Sequence, residues 1–164
     1  SCLVGSEMCI RDRTTYNPAQ VNEGVLYPCH GLTVQFYVED DDRISLQMYQ
    51  RSCDYGLGVP FNIASYGILL HIVVMLVNSQ NEKIEGKCYR PGRLIMLFGD
   101  THIYDEHNTQ MIEIYNRWTN THLFPLLKIN KKITNVDEIN ELTYDDFKII
   151  GYKCESTIKM EMIA

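Results

Sequence analysis

The sequence predicts an α+β fold, in which a mixed β-sheet packs around a central buried helix. Two neighbouring segments alternate between apolar and polar side chains, and a longer segment after them is apolar on nearly every side. Strands and helices then mix without a regular βαβ alternation, which favours α+β. With 45% hydrophobic and 22% charged residues among 164, the chain has the composition of one globular unit with a substantial core.

The two alternating segments, residues 31–38 and 43–49, predict a β-hairpin. Their apolar positions fall on one face of each strand, namely Leu32, Val34, Phe36 and Val38 in the first and Ile44, Leu46 and Met48 in the second. The acidic run 39–42 separates the strands. We expect these four acids to form a solvated turn.

Residues 61–77 predict a buried helix, because apolar side chains surround it. Pro60 follows a glycine-containing turn and can occupy the first helical turn. The segment is marginally long enough to span a bilayer, but Asn62, Ser65 and His71 interrupt it. A core helix is therefore the better interpretation.

The second half of the chain predicts shorter elements. In order, they are an exposed polar loop (78–92), a buried strand (93–98), a helix (105–118) with Met111, Ile112 and Tyr115 on its inner side, two strands (126–133 and 144–152) and an extended tail (157–164).

Charge and cysteine content exclude several classes of function. The net charge of -6 argues against sequence-independent nucleic-acid binding, although a few arginines in one pocket can still bind a small anion. The six cysteines are scattered, without the close Cys/His spacing of a zinc site. We expect reduced thiols and no metal. Residues 1–13 lack the features of a secretory signal, so we expect a cytoplasmic protein without a membrane anchor.

Cys29 is the first candidate for chemistry. It follows Pro28 just before the hairpin, where a thiol can be presented at a strand edge, but a buried structural cysteine fits the same pattern. Pairing of the two strands brings Arg51 back towards Cys29. A guanidinium there would favour the thiolate, or would bind a phosphate together with Ser52; a plain surface charge is the alternative.

Three further residues have both a functional and an ordinary interpretation. Asn62 lies at the start of the predicted helix, where it either caps the helix or binds a ligand. His102 and Tyr104 follow a predicted strand, which is typical of ligand-binding residues and of ordinary loops.

The motifs together closely resemble the thymidylate synthase family, from Thr14 to Ala164. They are PCH at 28–30, QFYV at 35–38, QRSCD at 50–54, GLGVPFNIASY at 56–66, GDTHIY at 99–104, DFKIIGY at 146–152 and TIKMEM at 157–162. The resemblance implies reductive methylation of dUMP to dTMP with 5,10-methylenetetrahydrofolate. It implies that Cys29 adds to carbon 6 of the uracil, beside Arg51, and that the Asn62 amide selects uracil over cytosine.

The resemblance also implies the ligand contacts and the partner. Residues matching nucleotide-binding positions are Gln50, Arg51, Ser52, Asp54, Asn62, His102 and Tyr104. Residues matching folate-binding positions are Asp54, Leu57, Gly58, Phe61 and the C-terminal Ala164. We expect a homodimer with sites shared across its interface, and a tail that closes over both ligands.

Residues 1–13 resemble no part of the family, so we expect foreign sequence there and a catalytic domain over 14–164. The family's phosphate-binding arginine loop and its proton-transferring glutamate have no match, which predicts a C-terminal catalytic part whose fold is incomplete at the N-terminus. Two alternatives remain open: a nucleotide hydroxymethylase with the same cysteine chemistry, and a non-catalytic binding or dimerisation fragment.

Overall fold

The computed structural model describes residues 10–14, 17, 19, 30, 32–81 and 87–163. Within them, a four-stranded sheet has the order β1-β2-β3-β4, formed by Ile10–Arg13, Thr33–Val38, Arg43–Asp54 and Arg90–His102. β1 and β3 both run antiparallel to β2, whereas β3 and β4 are parallel. The predicted α+β fold with a mixed sheet is confirmed.

The first strand extends the fold towards the N-terminus. The sequence places residues 1–13 outside the fold, whereas the structure pairs Ile10 with Tyr37 and Arg13 with Val34. The origin of residues 1–13 stays a prediction.

The predicted hairpin is confirmed, with β3 five residues longer than expected at its C-terminal end, Asp54. Its register joins Val38 to Ile44 across the turn, and the apolar faces of both strands point into the core as the alternation requires. Asp42 takes the left-handed backbone conformation, with φ of 60°, which an aspartate tolerates in a tight turn.

Glu39 does not belong to a solvated turn, and that part of the prediction is wrong. Its side chain is only 11% exposed, and it accepts hydrogen bonds from Ser45 Oγ, from Arg43 at 2.8 Å and from Arg93 at 3.2 Å. The Ser45 bond, followed by the two guanidinium groups, lowers the pKa of Glu39 below its ordinary 4.5. The carboxylate thus joins the hairpin to β4.

The same corner contains a bulge in β4, opposite the step from Ile44 to Leu46. Ser45 Oγ accepts a hydrogen bond from the backbone N–H of Arg93 at 2.7 Å. Gly92 leaves room for this contact, because a Cβ there would overlap Ser45 Oγ.

The predicted helix is α1, Gly58–Asn81, which begins three residues earlier and ends four residues later than expected. Its Tyr66, Leu70 and Val74 pack on Leu46 and Met48 of the sheet. By length and composition alone it could cross a membrane; in the structure, one face of it packs on β3 and β4.

The prediction that α1 is buried on every side is wrong for the described part of the chain. Phe61 is 70% exposed and Ile63 48% exposed, because the sheet covers only one face of the helix. Uniform apolarity predicts burial, but only the packing of other elements decides which side is covered.

Only part of the polar segment 78–92 is a loop, so the loop is shorter than predicted. Residues 78–81 belong to α1 and residues 90–92 to β4, while 82–86 lie outside the described residues. The Asn78 amide donates to Tyr89 O at 2.9 Å and accepts from Tyr89 N at 2.7 Å. Asn78 thus fastens the end of the helix to the start of β4.

β4 is buried on one face only, which corrects the predicted buried strand. Leu94 and Met96 pack against the core, whereas Ile95 and Leu97 on the other face are 36% and 48% exposed. α1 covers the first face.

The remaining elements are short. A 3-10 turn, Asp105–His107, leads into α2, Asn108–Asn116; β5, Leu126–Ile129, then pairs antiparallel with β6, Phe147–Ile150. Both strands are shorter than predicted, with 3-10 turns Asp137–Glu141 and Tyr144–Asp146 before β6. Residues 151–163 contain neither helix nor strand, as expected for an extended tail.

The inner side of α2 differs from the prediction. Ile112 is 62% and Tyr115 73% exposed, whereas Met111 is half-buried and His107 is 1% exposed. The side expected to be inner is therefore exposed at Ile112 and Tyr115, and only Met111 of the three named residues is partly covered.

Candidate active site

The predicted site residues lie at one edge of the sheet, where the parallel strands β3 and β4 end. In the register, Ser52 pairs with Asp100 and Asp54 with His102. The start of α1 follows β3 after a three-residue turn. The structure therefore brings together the predicted residues of β3, α1 and β4, while Cys29 and Ala164 lie outside the described residues.

Gln50 and Asn62 form the centre of this edge. Gln50 is 2% exposed, and its Nε2 donates to Asn62 Oδ1 at 2.9 Å and to Ser52 O at 3.0 Å. Asn62 is the fifth residue of α1, beyond the position where a side chain caps a helix. The capping interpretation of Asn62 is therefore wrong, and its amide is held in place by Gln50 instead.

Asp54 caps α1. Its Oδ1 accepts hydrogen bonds from the backbone N–H groups of Gly56 and Leu57, and its Oδ2 accepts one from Gly58, all at 3.2 Å. Gly58 is the first residue of the helix, where N–H groups lack helical partners, and Gly56 and Leu57 belong to the turn that precedes it. Asp54 thus has a structural task beside the ligand contact that its motif implies.

His102 and Tyr104 lie together at the end of β4. Their rings meet edge to face, with centroids 5.1 Å apart. His102 Nδ1 is buried and lies 3.8 Å from Asp100 Oδ2, which is too long for a hydrogen bond. The imidazole is therefore oriented by ring packing.

Arg51 and Ser52 reach the surface beside these groups, Arg51 exposed and Ser52 half-buried. The last described pair of the hairpin at this end is Thr33 with Tyr49, two residues before Arg51. The predicted approach of Arg51 to Cys29 thus stays a prediction.

The residue after Cys29 is anchored on α1. His30 Nδ1 lies 3.0 Å from the Tyr66 hydroxyl, and the two rings meet edge to face at 5.9 Å. Tyr66 follows Asn62 by four residues, so both lie on one side of the helix. The chain next to the candidate nucleophile is thus fixed one helical turn from the candidate uracil-binding amide.

The start of α1 also offers an apolar surface. Leu57 and Gly58 are half-buried and Phe61 is 70% exposed. An exposed aromatic ring beside buried polar groups is suited to stack on a planar ligand.

Three buried side-chain atoms in the described residues lack a hydrogen-bond partner: Gln50 Oε1, His102 Nδ1 and His107 Nδ1. The first two belong to the predicted site, and His107 contacts Tyr104 with ring centroids 5.9 Å apart. Buried polar atoms are normally paired, so their concentration here indicates a site for a polar ligand.

The site contains contacts that the sequence does not reveal. Tyr66 ends the motif GLGVPFNIASY, and His107 lies outside every quoted motif; neither residue type nor spacing marks them as site residues. His107 bonds to Glu161 and Tyr66 to His30, at sequence separations of 54 and 36 residues. Contacts so distant in the chain leave no local signal.

A cavity of about 380 Å³ lies elsewhere, between the second half of α1 and β5, where His71, Met75 and Lys132 are among its lining residues. It contains none of the predicted site residues, and its Asn78 and Ser79 side chains bond to backbone groups of the protein. The buried unpaired atoms lie at the sheet edge instead. In the part of the chain that the structure describes, no group of His, Cys, Asp and Glu could hold a metal ion.

The fold and this edge have the features expected of a site for a small polar ligand, since residues with amide, imidazole, hydroxyl and guanidinium groups lie at the ends of two strands beside a helix start. Comparison with known proteins identifies the family. The thymidylate synthase family model matches residues 11–164, and the chain belongs to this family.

Individual curated relatives point to the same family. The chain is 41% identical over 143 residues to the thymidylate synthase of Mycoplasma mobile, covering 87% of this chain and 44% of the relative. It is 41% identical over 149 residues to that of Varicella-zoster virus, covering 91% and 44%. It is 36% identical over 149 residues to the bifunctional dihydrofolate reductase-thymidylate synthase of Zea mays, covering 91% and 25%. The chain therefore spans less than half the length of these curated relatives.

Proposed function

We propose that this chain carries the nucleophile and the uracil-binding part of an enzyme that methylates dUMP to dTMP. The observation that carries the proposal is the Gln50–Asn62 hydrogen bond, which holds an amide at the sheet edge, one helical turn from the anchor of His30. The relatives named thymidylate synthase support the reaction class.

Asn62 supplies the specificity. A primary amide accepts a hydrogen bond from uracil N3–H and donates one to O4, which matches uracil and not cytosine. Because Gln50 donates to Asn62 Oδ1, it fixes the rotation of the amide before the base arrives. This preorganisation reduces the ordering that nucleotide binding requires.

Cys29 supplies the covalent step. Its thiolate adds to carbon 6 of the uracil, the electron pair moves towards O4, and carbon 5 becomes nucleophilic. When bound, 5,10-methylenetetrahydrofolate provides both the one-carbon unit and the hydride. Carbon 5 loses its proton as the one-carbon unit separates from the folate nitrogen, and the sulfur leaves carbon 6 when hydride reaches that one-carbon unit, so the thiolate is regenerated.

The other groups position the ligands. Arg51 and Ser52 bind the phosphate, and His102 and Tyr104 bind the sugar hydroxyl, with His102 Nδ1 as a buried group in need of a partner. The exposed Phe61 beside Leu57 and Gly58 fits the planar ring system of the folate. Asp54 contributes here mainly through the helix start that it caps.

We also propose that the protein is a homodimer, with sites shared across the interface, that acts in the cytoplasm. The sheet face turned away from α1 bears exposed apolar side chains, including Tyr49 at 42% and Leu97 at 48%. A second copy of this face would cover them. The free thiols of Cys53, Cys88 and Cys154 fit a reducing compartment.

Detection of a covalent adduct on Cys29 tests the proposed function. 5-Fluoro-dUMP cannot lose a proton from carbon 5, so with 5,10-methylenetetrahydrofolate it should remain bound to Cys29 in an adduct that peptide mass spectrometry locates. We would use this chain alone, and a chimera in which it replaces the matching residues of the Mycoplasma mobile relative. The chimera supplies the rest of the relative's length.

The proposal predicts an adduct in the chimera and none in its Cys29→Ser variant. An adduct in the chimera but not in the isolated chain would show that the reaction needs residues that the relative supplies. A folded chimera without an adduct would overturn the proposal. With dUMP as substrate, a hydroxymethyl product instead of dTMP would favour a hydroxymethylase, which the names of the relatives do not support.

A further inference from the structure

His107 is the most buried histidine of the described chain, and none of the steps above uses it. It is 1% exposed and ends the 3-10 turn between β4 and α2. Its Nε2 lies 2.8 Å from the backbone oxygen of Glu161 in the C-terminal tail. Because a carbonyl oxygen only accepts hydrogen bonds, Nε2 carries a proton, while the buried Nδ1 has no hydrogen-bond partner.

The Nδ1 side of the ring faces the turn between β3 and α1. A Cβ placed on Gly56 would lie 3.5 Å from His107 Nδ1 and 3.4 Å from the sulfur atoms of both Met111 and Met160. Side chains from the 3-10 turn, from α2 and from the tail thus converge on Gly56. The next two residues, Leu57 and Gly58, belong to the proposed folate surface.

The tail is held at a second point further back. Arg117, at the end of α2, donates to Ser156 O at 2.5 Å and to Ser156 Oγ at 3.1 Å. Since residues 151–163 contain neither helix nor strand, such side-chain bonds decide where the tail lies. Of these two anchors, His107 is the one nearer to the C-terminus and to the site.

We propose that His107 is a positioning residue that seats the C-terminal tail on the Gly56 turn. Its Nε2–H fixes the tail backbone at Glu161, and its ring packs on Tyr104, so one side chain links the tail to the sugar-binding and folate-binding sides of the site. The effect on ligands rests on the proposed function. The seating of the tail does not.

Native-state trypsin cleavage after Lys159 measures the seating directly, because the protease needs a locally released tail. In this chain, His107→Asn retains a polar group near Nδ1 but loses the reach to Glu161, whereas His107→Gln retains a donor near Nε2. We expect release of peptide 160–164 to be about tenfold faster in His107→Asn, because one buried hydrogen bond is lost. In His107→Gln the rate should stay within about threefold of the parent.

Two controls separate tail release from general unfolding. Cleavage after Lys128, in β5, should not change in either variant. His122→Leu removes a surface contact of 3.2 Å with the side chain of Glu155 in the same tail and should leave cleavage after Lys159 unchanged. If His107→Asn also speeds cleavage after Lys128, a second variant is used. Met111→Ala removes a side chain of α2 that packs at the same turn, Gly56. It should increase the rate of cleavage after Lys159 by a smaller factor and leave cleavage after Lys128 unchanged.

Unchanged cleavage after Lys159 in a folded His107→Asn variant would overturn the proposal. In the chimera, the same variant should raise KM for the folate about tenfold and leave KM for dUMP within about twofold. Faster tail cleavage with an unchanged folate KM would refute the link to the site. A chimera that forms no adduct would refute the proposed function, while the trypsin result would still decide the seating.

Discussion

Replacement of Asp54 by alanine should destabilise the protein by removing the cap of α1. The carboxylate accepts three backbone N–H groups, those of Gly56, Leu57 and Gly58, each at 3.2 Å. Alanine offers no acceptor, so the first residue of a 24-residue helix and the two turn residues before it would lose their side-chain partner. The negative charge at the positive end of the helix dipole would also be lost.

The expected loss of stability in Asp54→Ala follows from these two contributions, the cap and the charge. Loss of a capping side chain costs about 0.5–2 kcal/mol, and loss of the charge–dipole interaction about 0.3–1 kcal/mol. Distances of 3.2 Å lie at the long end for N–H···O bonds, so we expect a total of about 2 kcal/mol. Asp54→Asn retains an acceptor oxygen and loses the charge, and should cost about 0.5–1 kcal/mol.

Urea unfolding followed by far-UV circular dichroism measures these differences. The matched control is Asp100→Ala at the same sheet edge, where the side chain is 80% exposed and a change within about 0.5 kcal/mol is expected. If Asp54→Ala were as stable as the parent while KM for the folate rose in the chimera, Asp54 would serve the ligand and not the helix. The capping argument would then be refuted.

Three further predictions concern the core, the base and the acidic corner. Leu46→Ala should lower the free energy of unfolding by about 3–5 kcal/mol, because Leu46 is completely buried between the sheet and α1; a loss below about 1 kcal/mol in urea titration would contradict this packing. Asn62→Asp should keep its hydrogen bond from Gln50, so stability should hold while the ratio of dCMP to dUMP turnover in the chimera rises; an unchanged ratio would argue against Asn62 as the base reader. The lowered pKa of Glu39 stabilises the fold above pH 4.5, and this stabilisation is lost as the pH falls through the folded-state pKa. The stability gap between the parent and Glu39→Gln should therefore shrink on acidification below pH 4.5, and a gap that widened would reverse the assigned sign.

Local pattern was sufficient for the hairpin and for the long helix. Strand residues alternate by covalent geometry, so Val34, Leu46 and Met48 could be assigned to the core from their spacing alone. The family resemblance also followed from residue order, and it placed Gln50 and Asn62 in one site before the structure joined them by a hydrogen bond.

Packing decided what periodicity does not encode. Phe61 and Ile95 are as apolar as the core residues, yet the structure exposes them, because burial depends on which element covers a surface. Glu39 shows the reverse case, since Ser45 and two arginines largely bury an acid that was expected on the surface and bond it to β4.

By itself, the sequence determined the class of fold, the order of its main elements and the family, because these depend on residue type and spacing along one chain. Only the tertiary structure decided that Asp54, not Asn62, caps α1, and that His107 holds the tail at Glu161. Both results depend on which atoms meet in space. A hydrogen bond of 2.8 Å between residues 54 positions apart follows from the folded path of the chain, and no local pattern specifies it.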